Sequence, residues 1–367
     1  MVRLHQGKRR SRAGRCWALG GSVLVTAALS FHAATFAQQP TRNPRQPIVF
    51  APSSPSASAE SALQEIAPPT HVVTPEERAL SWKTEFGQFP PYTEAERELE
   101  KMLHGKDEDI DLVLANWLIA ADIPELRSLT REAYFKQIES LTEQVRQDMA
   151  TQASGRHRSN PNSPMCRAGA FAYAIHKLGF AYNEEFHNED LSPAETRALY
   201  GDADNIFLVG LLRTHRGSCV SMPLIYLVIG QRLGFPICLV AIGKHYFIRW
   251  EEPGFYVNIE PTIIEDACLT DDSTYLDVEG MTRDQLKGSD LQDLTNREVV
   301  GQLFFARYGY WFTKMGKRET QACLDLSRAR HLSPNDPGIK AAHQRVFNFY
   351  GIKPEQAAID IRIKLKE

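Results

Sequence analysis

The sequence predicts an α+β fold, and three observations carry the prediction. Apolar residues recur at helical spacing in several blocks between Thr93 and Leu178. Three short segments, 237–242, 246–250 and 255–259, are rich in Ile, Val, Tyr and Phe and are separated by breaks that contain glycine. That is the pattern of strands in a small antiparallel sheet. Helical signals then return from about Asn296 to the end of the chain. A length of 367 residues is too great for one small domain. Hydrophobic content of 43% with 24% charged residues excludes a wholly disordered chain, a collagen and a polytopic membrane protein.

The N-terminus reads as an address. Arg3, Lys8, Arg9, Arg10, Arg12 and Arg15 stand without an acid in the first 37 residues, and a mostly apolar stretch follows from Trp17 to Ala37. This is the pattern of a secretory signal peptide over 1–37. It predicts a secreted or periplasmic protein, the alternative being a membrane anchor by an uncleaved N-terminal segment. The net charge is −3 with these basic residues included, so the rest is more acidic still and no nucleic-acid partner is expected. Residues 38–91 carry recurrent Pro, Ser, Ala and Gln and read as a flexible linker.

A helix should open near Thr93, where Glu94, Glu96 and Glu98 suit its positive end. A buried helix is expected from Ile110 to Ala121, stopping before Pro124. An amphipathic helix spans Thr130 to Thr151, and another runs from about Cys166 to Leu178 and stops at Gly179. Asn205 to Leu212 should be helical. Ser221 to Leu233 is apolar nearly all round and ends at Gly234.

The chemistry lies around Arg216-Gly217-Ser218-Cys219. Cys219 follows a Gly-Ser turn and opens the Ser221–Leu233 helix. The unpaired N–H groups and dipole of a helix start stabilise a thiolate, and the same groups can hold an oxyanion. His245, in Gly243-Lys244-His245, supplies a base at the start of a strand. A four-residue hairpin loop at 251–254 would set His245 directly opposite Glu260. Glu260 is therefore the expected orienting acid, with Asn258, on the same face, in reserve. His176 and His215 are expected to be structural. The acids of 271–280 do not fall in the order of a calcium loop, and neither a metal nor a cofactor is expected.

These blocks resemble the transglutaminase-like superfamily of papain-type cysteine enzymes. The resemblance lies in Arg216-Gly217-Ser218-Cys219, the helix end Arg232-Leu233-Gly234-Phe235-Pro236, Gly243-Lys244-His245 and Ile259-Glu260-Pro261-Thr262. It is greatest to the SirB-type branch, in which a transglutaminase-like domain precedes tetratricopeptide-like helices. The resemblance implies a papain/transglutaminase-like core and a Cys219–His245–Glu260 triad, with glutamate where the family usually has aspartate. It implies acyl transfer or hydrolysis at an amide of a protein or peptide. The alternative is a non-catalytic interaction scaffold of the SirB type. The order expected is a transglutaminase-like domain with N-terminal helices over 92–292 and a tetratricopeptide-like region over 293–367, where Ala322, Leu326, Ala329 and Pro334 fit the second helix of a repeat. That appendix could bind a protein partner.

Six cysteines are too few for a disulfide scaffold at this length. With Cys16 lost in the signal peptide, five remain, an odd number that leaves a thiol unpaired in a monomer.

Overall fold

The protein is described from a computed structural model over residues 93–349, apart from 154–159, 161, 189, 244, 263–267 and 315–318. The expected signal peptide and linker lie outside the described residues, as does the end of the expected C-terminal region. Among the described residues, no helix is long and apolar enough to cross a membrane.

The fold is α+β, mostly helical around one five-stranded antiparallel sheet. Its first helices are α1 (Glu94–Leu103), α2 (Leu112–Ala120), α3 (Arg131–Ala153) and α4 (Pro164–His176). Local chemistry sets their starts. Thr93 and Glu96 form a capping box on α1, and Asp111 accepts hydrogen bonds from the N–H groups of Val113 and Leu114 at the head of α2. Strand β1 (Ala181–Tyr182) leads to α5 (Pro193–Tyr200), α6 (Ala203–Ile206) and α7 (Leu208–Thr214). The expected single helix over 205–212 is thus two short ones, broken where Phe207 takes an extended conformation.

Strand β2 (Arg216–Gly217) pairs in parallel with β1 and delivers the chain to α8 (Ser221–Arg232). Every residue of α8 from Ser221 to Gly230 is buried. This helix packs on the sheet and against α3, α4 and α7, which explains its apolar character on all sides. Gly230 is required by close approach, because a Cβ there would lie 1.9 Å from Ile237 Cδ1.

The sheet comprises β3 (Ile237–Ile242), β4 (His245–Glu252), β5 (Phe255–Glu260), β6 (Cys268–Thr270) and β7 (Asp293–Leu294), in the order β6-β5-β4-β3-β7. The β4–β5 hairpin corrects the expected register. Its loop is only Pro253-Gly254, and Glu252 pairs with Phe255. Pro253 presets its own φ, and Gly254 takes φ 77°, the residue signature of a type II turn. Arg249 therefore faces Asn258, and Glu260 is displaced by one pair from the position opposite His245. Because the shift is two residues, the face is unchanged.

Helix α9 (Asp272–Glu279) covers the His245 face of the sheet, where Tyr275 stacks on Phe247 with centroids 3.7 Å apart. It occupies the segment with the scattered acids. Asp271 caps its start, and Gly280 ends it at φ 62°. The described chain closes with α10 (Asn296–Thr313), α11 (Glu319–Leu332) and α12 (Pro337–Phe349). Helix α10 packs on α2, α5 and α11, and its Val299, Val300, Leu303, Tyr308 and Trp311 join the main core.

Candidate functional site

The turn that carries Cys219 is built by Asn205. The Asn205 carbonyl accepts from Ser218 N at 3.1 Å and from the Ser221 hydroxyl at 2.6 Å. Its side chain donates to Leu199 O at 3.0 Å, at the end of α5, and accepts from Asn183 Nδ2 at 3.1 Å. One buried amide thus ties the cysteine turn to both β1 and α5. Ser218 then caps the turn, with its hydroxyl accepting from Val220 N and its carbonyl from Met222 N. Cys219 lies in this turn, two residues ahead of α8, and is buried.

These bonds change what the helix start offers. The N–H groups of Val220 and Met222 are already held by Ser218. They are not open to a ligand as the sequence led us to expect.

His245 is the first residue of β4 and is buried. Its Nε2 donates to Glu260 Oε2 at 2.9 Å. Its ring stacks against Tyr275, with centroids 6.0 Å apart. Burial opposes the charged ring, but the Glu260 carboxylate, hydrogen bonds to Cys219 and Glu260, and the Cys219 charge together push its pKa up to about 10. With Nε2 committed to Glu260, Nδ1 is the ring nitrogen left for the thiol.

Glu260 has a fully buried side chain whose two oxygens accept from several donors. Oε2 accepts from His245 and from the Tyr275 hydroxyl at 3.2 Å. Oε1 accepts from Thr262 N at 2.9 Å and from the Thr262 hydroxyl. Such a set fixes the orientation of the carboxylate. Asn258, the reserve candidate, is placed elsewhere. It accepts from Arg249 Nε at 3.0 Å and donates to Asp272 Oδ1 at 2.9 Å, within a buried cluster around Arg249. His215 is a helix end in the left-handed region, φ 56°, and stacks on Phe180.

Sequence reasoning missed the tyrosines. The Tyr200 hydroxyl lies 4.0 Å from Cys219 Sγ and is hydrogen bonded to Tyr182. Burial raises both phenol pKa values, and the charge on Cys219 adds to it. The parallel pairing of Tyr182 with Gly217 brings Tyr182 to the site, and the helix end held by Asn205 brings Tyr200; two-residue strands leave no periodic signal. A cleft beside the cluster is lined by Val220 and Tyr246, the chain neighbours of Cys219 and His245, and by Asp290, Gln302, Phe305 and Asp336.

The geometry joins a buried thiol, an imidazole with a raised pKa and an orienting carboxylate, the parts of a nucleophile–base–orienter arrangement. Residues 132–304, a little under half of the chain, match a family model described as the transglutaminase-like superfamily. That stretch includes Cys219, His245 and Glu260 and ends inside α10. Comparison with curated proteins and comparison with solved structures both gave no match.

Proposed function

We propose that this chain is an exported thiol enzyme acting on an amide bond through Cys219, His245 and Glu260. The observation that carries the reading is the buried imidazole of His245, hydrogen bonded to Glu260 on one side and to Cys219 on the other. In the proposed reaction the thiol proton is held on His245, in keeping with its raised pKa, as Sγ attacks the carbonyl carbon. It returns the proton to the departing amine, leaving a thioester on Cys219. Water then releases the acid, with His245 as base. An amine in place of water would make the same chemistry an acyl transfer. Hydrolysis is the favoured outcome, since nothing in the sequence marks an amine site. Export rests on the basic and then apolar N-terminal 37 residues. Assignment to the SirB-type branch rests on the motif blocks and on the helical pair α10 and α11 at the place of its tetratricopeptide-like region.

The competing reading is a SirB-type scaffold that binds a protein through its C-terminal helices. It draws on the burial of Cys219, only 2% exposed. The two are separated by activity-based labelling of wild type beside Cys219→Ala with an amide-based electrophile. An enzyme gives an adduct on Cys219 that forms faster than any on Cys166, Cys238, Cys268 or Cys323. Equal labelling of all five in the folded protein would remove the basis for a nucleophile and favour the scaffold.

A further inference from the structure

We propose that Tyr200 is a catalytic residue, the hydroxyl donor that stabilises the oxyanion formed when Cys219 attacks a carbonyl. The inference rests on the reading of Cys219 as nucleophile and adds a group that neither the motif nor the family match identifies. Three observations converge. First, Ser218 holds two of the turn's amides, Val220 N and Met222 N, so the helix start offers fewer donors and a side-chain hydroxyl can complete the set. Second, the Tyr200 hydroxyl stands 4.0 Å from Sγ. That is the far edge of contact with sulfur itself. An oxygen on the carbon bonded to Sγ would stand nearer the hydroxyl than Sγ does, toward the roughly 3 Å that an oxyanion donor requires. Third, the phenol is fixed in place. Tyr200 ends α5, its ring packs on Phe186 with centroids 4.7 Å apart, and its hydroxyl is hydrogen bonded to Tyr182. Both phenols are buried, which keeps them protonated and able to donate.

The step balances without a further reagent. The Sγ–C bond forms with the thiol proton already held on His245. The carbonyl π pair moves onto oxygen, which accepts a hydrogen bond from Tyr200 O–H. Collapse restores the carbonyl and expels the leaving group with the proton from His245. Tyr200 keeps its own proton throughout.

The test compares full-length wild type, Tyr200→Phe and Cys219→Ala with two probes. Iodoacetamide alkylates the thiol and forms no oxyanion. p-Nitrophenyl acetate acylates the thiol through one. The expected result is that Tyr200→Phe alkylates at Cys219 within about twofold of wild type, while its acylation slows by about 10²-fold, the usual cost of one lost oxyanion donor. Acylation of Tyr200→Phe at the wild-type rate would overturn the assignment alone. Equal loss in both reactions would also overturn it, by showing that Tyr200 serves the thiol or its packing. A wild-type chain that forms no adduct on Cys219 with either probe would overturn the nucleophile reading, and the role of Tyr200 would fall with it.

Discussion

Glu260 reaches His245 from a diagonal position, and this explains why the longer acid is present. A residue displaced by one pair lies roughly 7–8 Å away across the ladder, against about 5 Å for a directly opposed one. The extra methylene of glutamate covers part of that gap. Glu260→Asp should therefore lose the bond to Nε2 and leave the imidazole unoriented. We expect acylation by p-nitrophenyl acetate to slow by about 10-fold or more, read as a single-turnover rate. An unchanged rate would mean that His245 is oriented by something else. The raised pKa of His245 has a separate thermodynamic consequence. The folded state binds this proton up to about pH 10, whereas the unfolded chain releases it near pH 6.5. Between those values His245 itself holds more proton in the native state than in the unfolded one, so its contribution to stability falls as pH rises. The contribution is complete below about pH 6.5 and is lost through pH 10. Urea midpoints near pH 7 and pH 9 should therefore fall further for wild type than for His245→Gln. Parallel behaviour of the two proteins would show that His245 does not retain its proton on folding.

At the scale of elements, the site depends on the Gly217–Ser221 turn more than on the helix it leads into. A Cβ on Gly217 would lie 2.5 Å from Ser221 Oγ and 2.9 Å from Leu211 Cδ1. The Ser221 hydroxyl cannot retreat freely, because it bridges Asn205 O and Ser218 N. Gly217→Ala should cost about 1–3 kcal/mol in urea unfolding and slow alkylation of Cys219, as the turn shifts to make room. Wild-type stability and labelling would show that the turn is looser than its hydrogen bonds imply. What the sequence revealed about these elements follows their length and periodicity. The long amphipathic helix at 131–153 and the apolar helix at 221–232 were readable to within a few residues. The three central strands were readable from their β-branched and aromatic content. The hairpin register was not, because Glu251 and Glu252 look like loop residues and yet pair with Tyr256 and Phe255. The three candidate site residues could be picked out because each sits in a short local motif. Tyr182, Tyr200 and Tyr275 were not, because each reaches the site only through pairing or packing with a segment distant in sequence.

At the scale of the whole molecule, the C-terminal helices are bound to the N-terminal ones through a buried charge cluster. Arg307 on α10 is fully buried. Its Nε and one terminal nitrogen bond the two oxygens of Asp325 on α11 at 2.8 Å each. Its remaining donors reach Ile119 O at 3.1 Å, at the end of α2, and Glu96 on α1 at 3.3 Å. Arg328 adds a second cation, 2.7 Å from Glu96 and 3.1 Å from Asp325. Two acids from opposite ends of the described chain therefore share two arginines inside the protein. Burial alone would raise the Glu96 pKa, and the two arginines reverse this and hold it below its ordinary value. Removing one partner of such a group is costly because the others remain buried without compensation. Arg307→Met keeps much of the side-chain volume and removes the charge, and it should destabilise the protein by about 3 kcal/mol. The loss stays near the lower end of the usual range because Arg328 still faces both carboxylates. Adding Asp325→Leu should recover part of it, since the orphaned carboxylate goes with its partner. Urea unfolding of the two single variants and the double variant tests this as a cycle. Additive losses would mean that Arg307 and Asp325 act independently. A positive coupling would show that Arg307 and Asp325 act as one unit that joins α10 to α11 inside the cluster they share with Glu96.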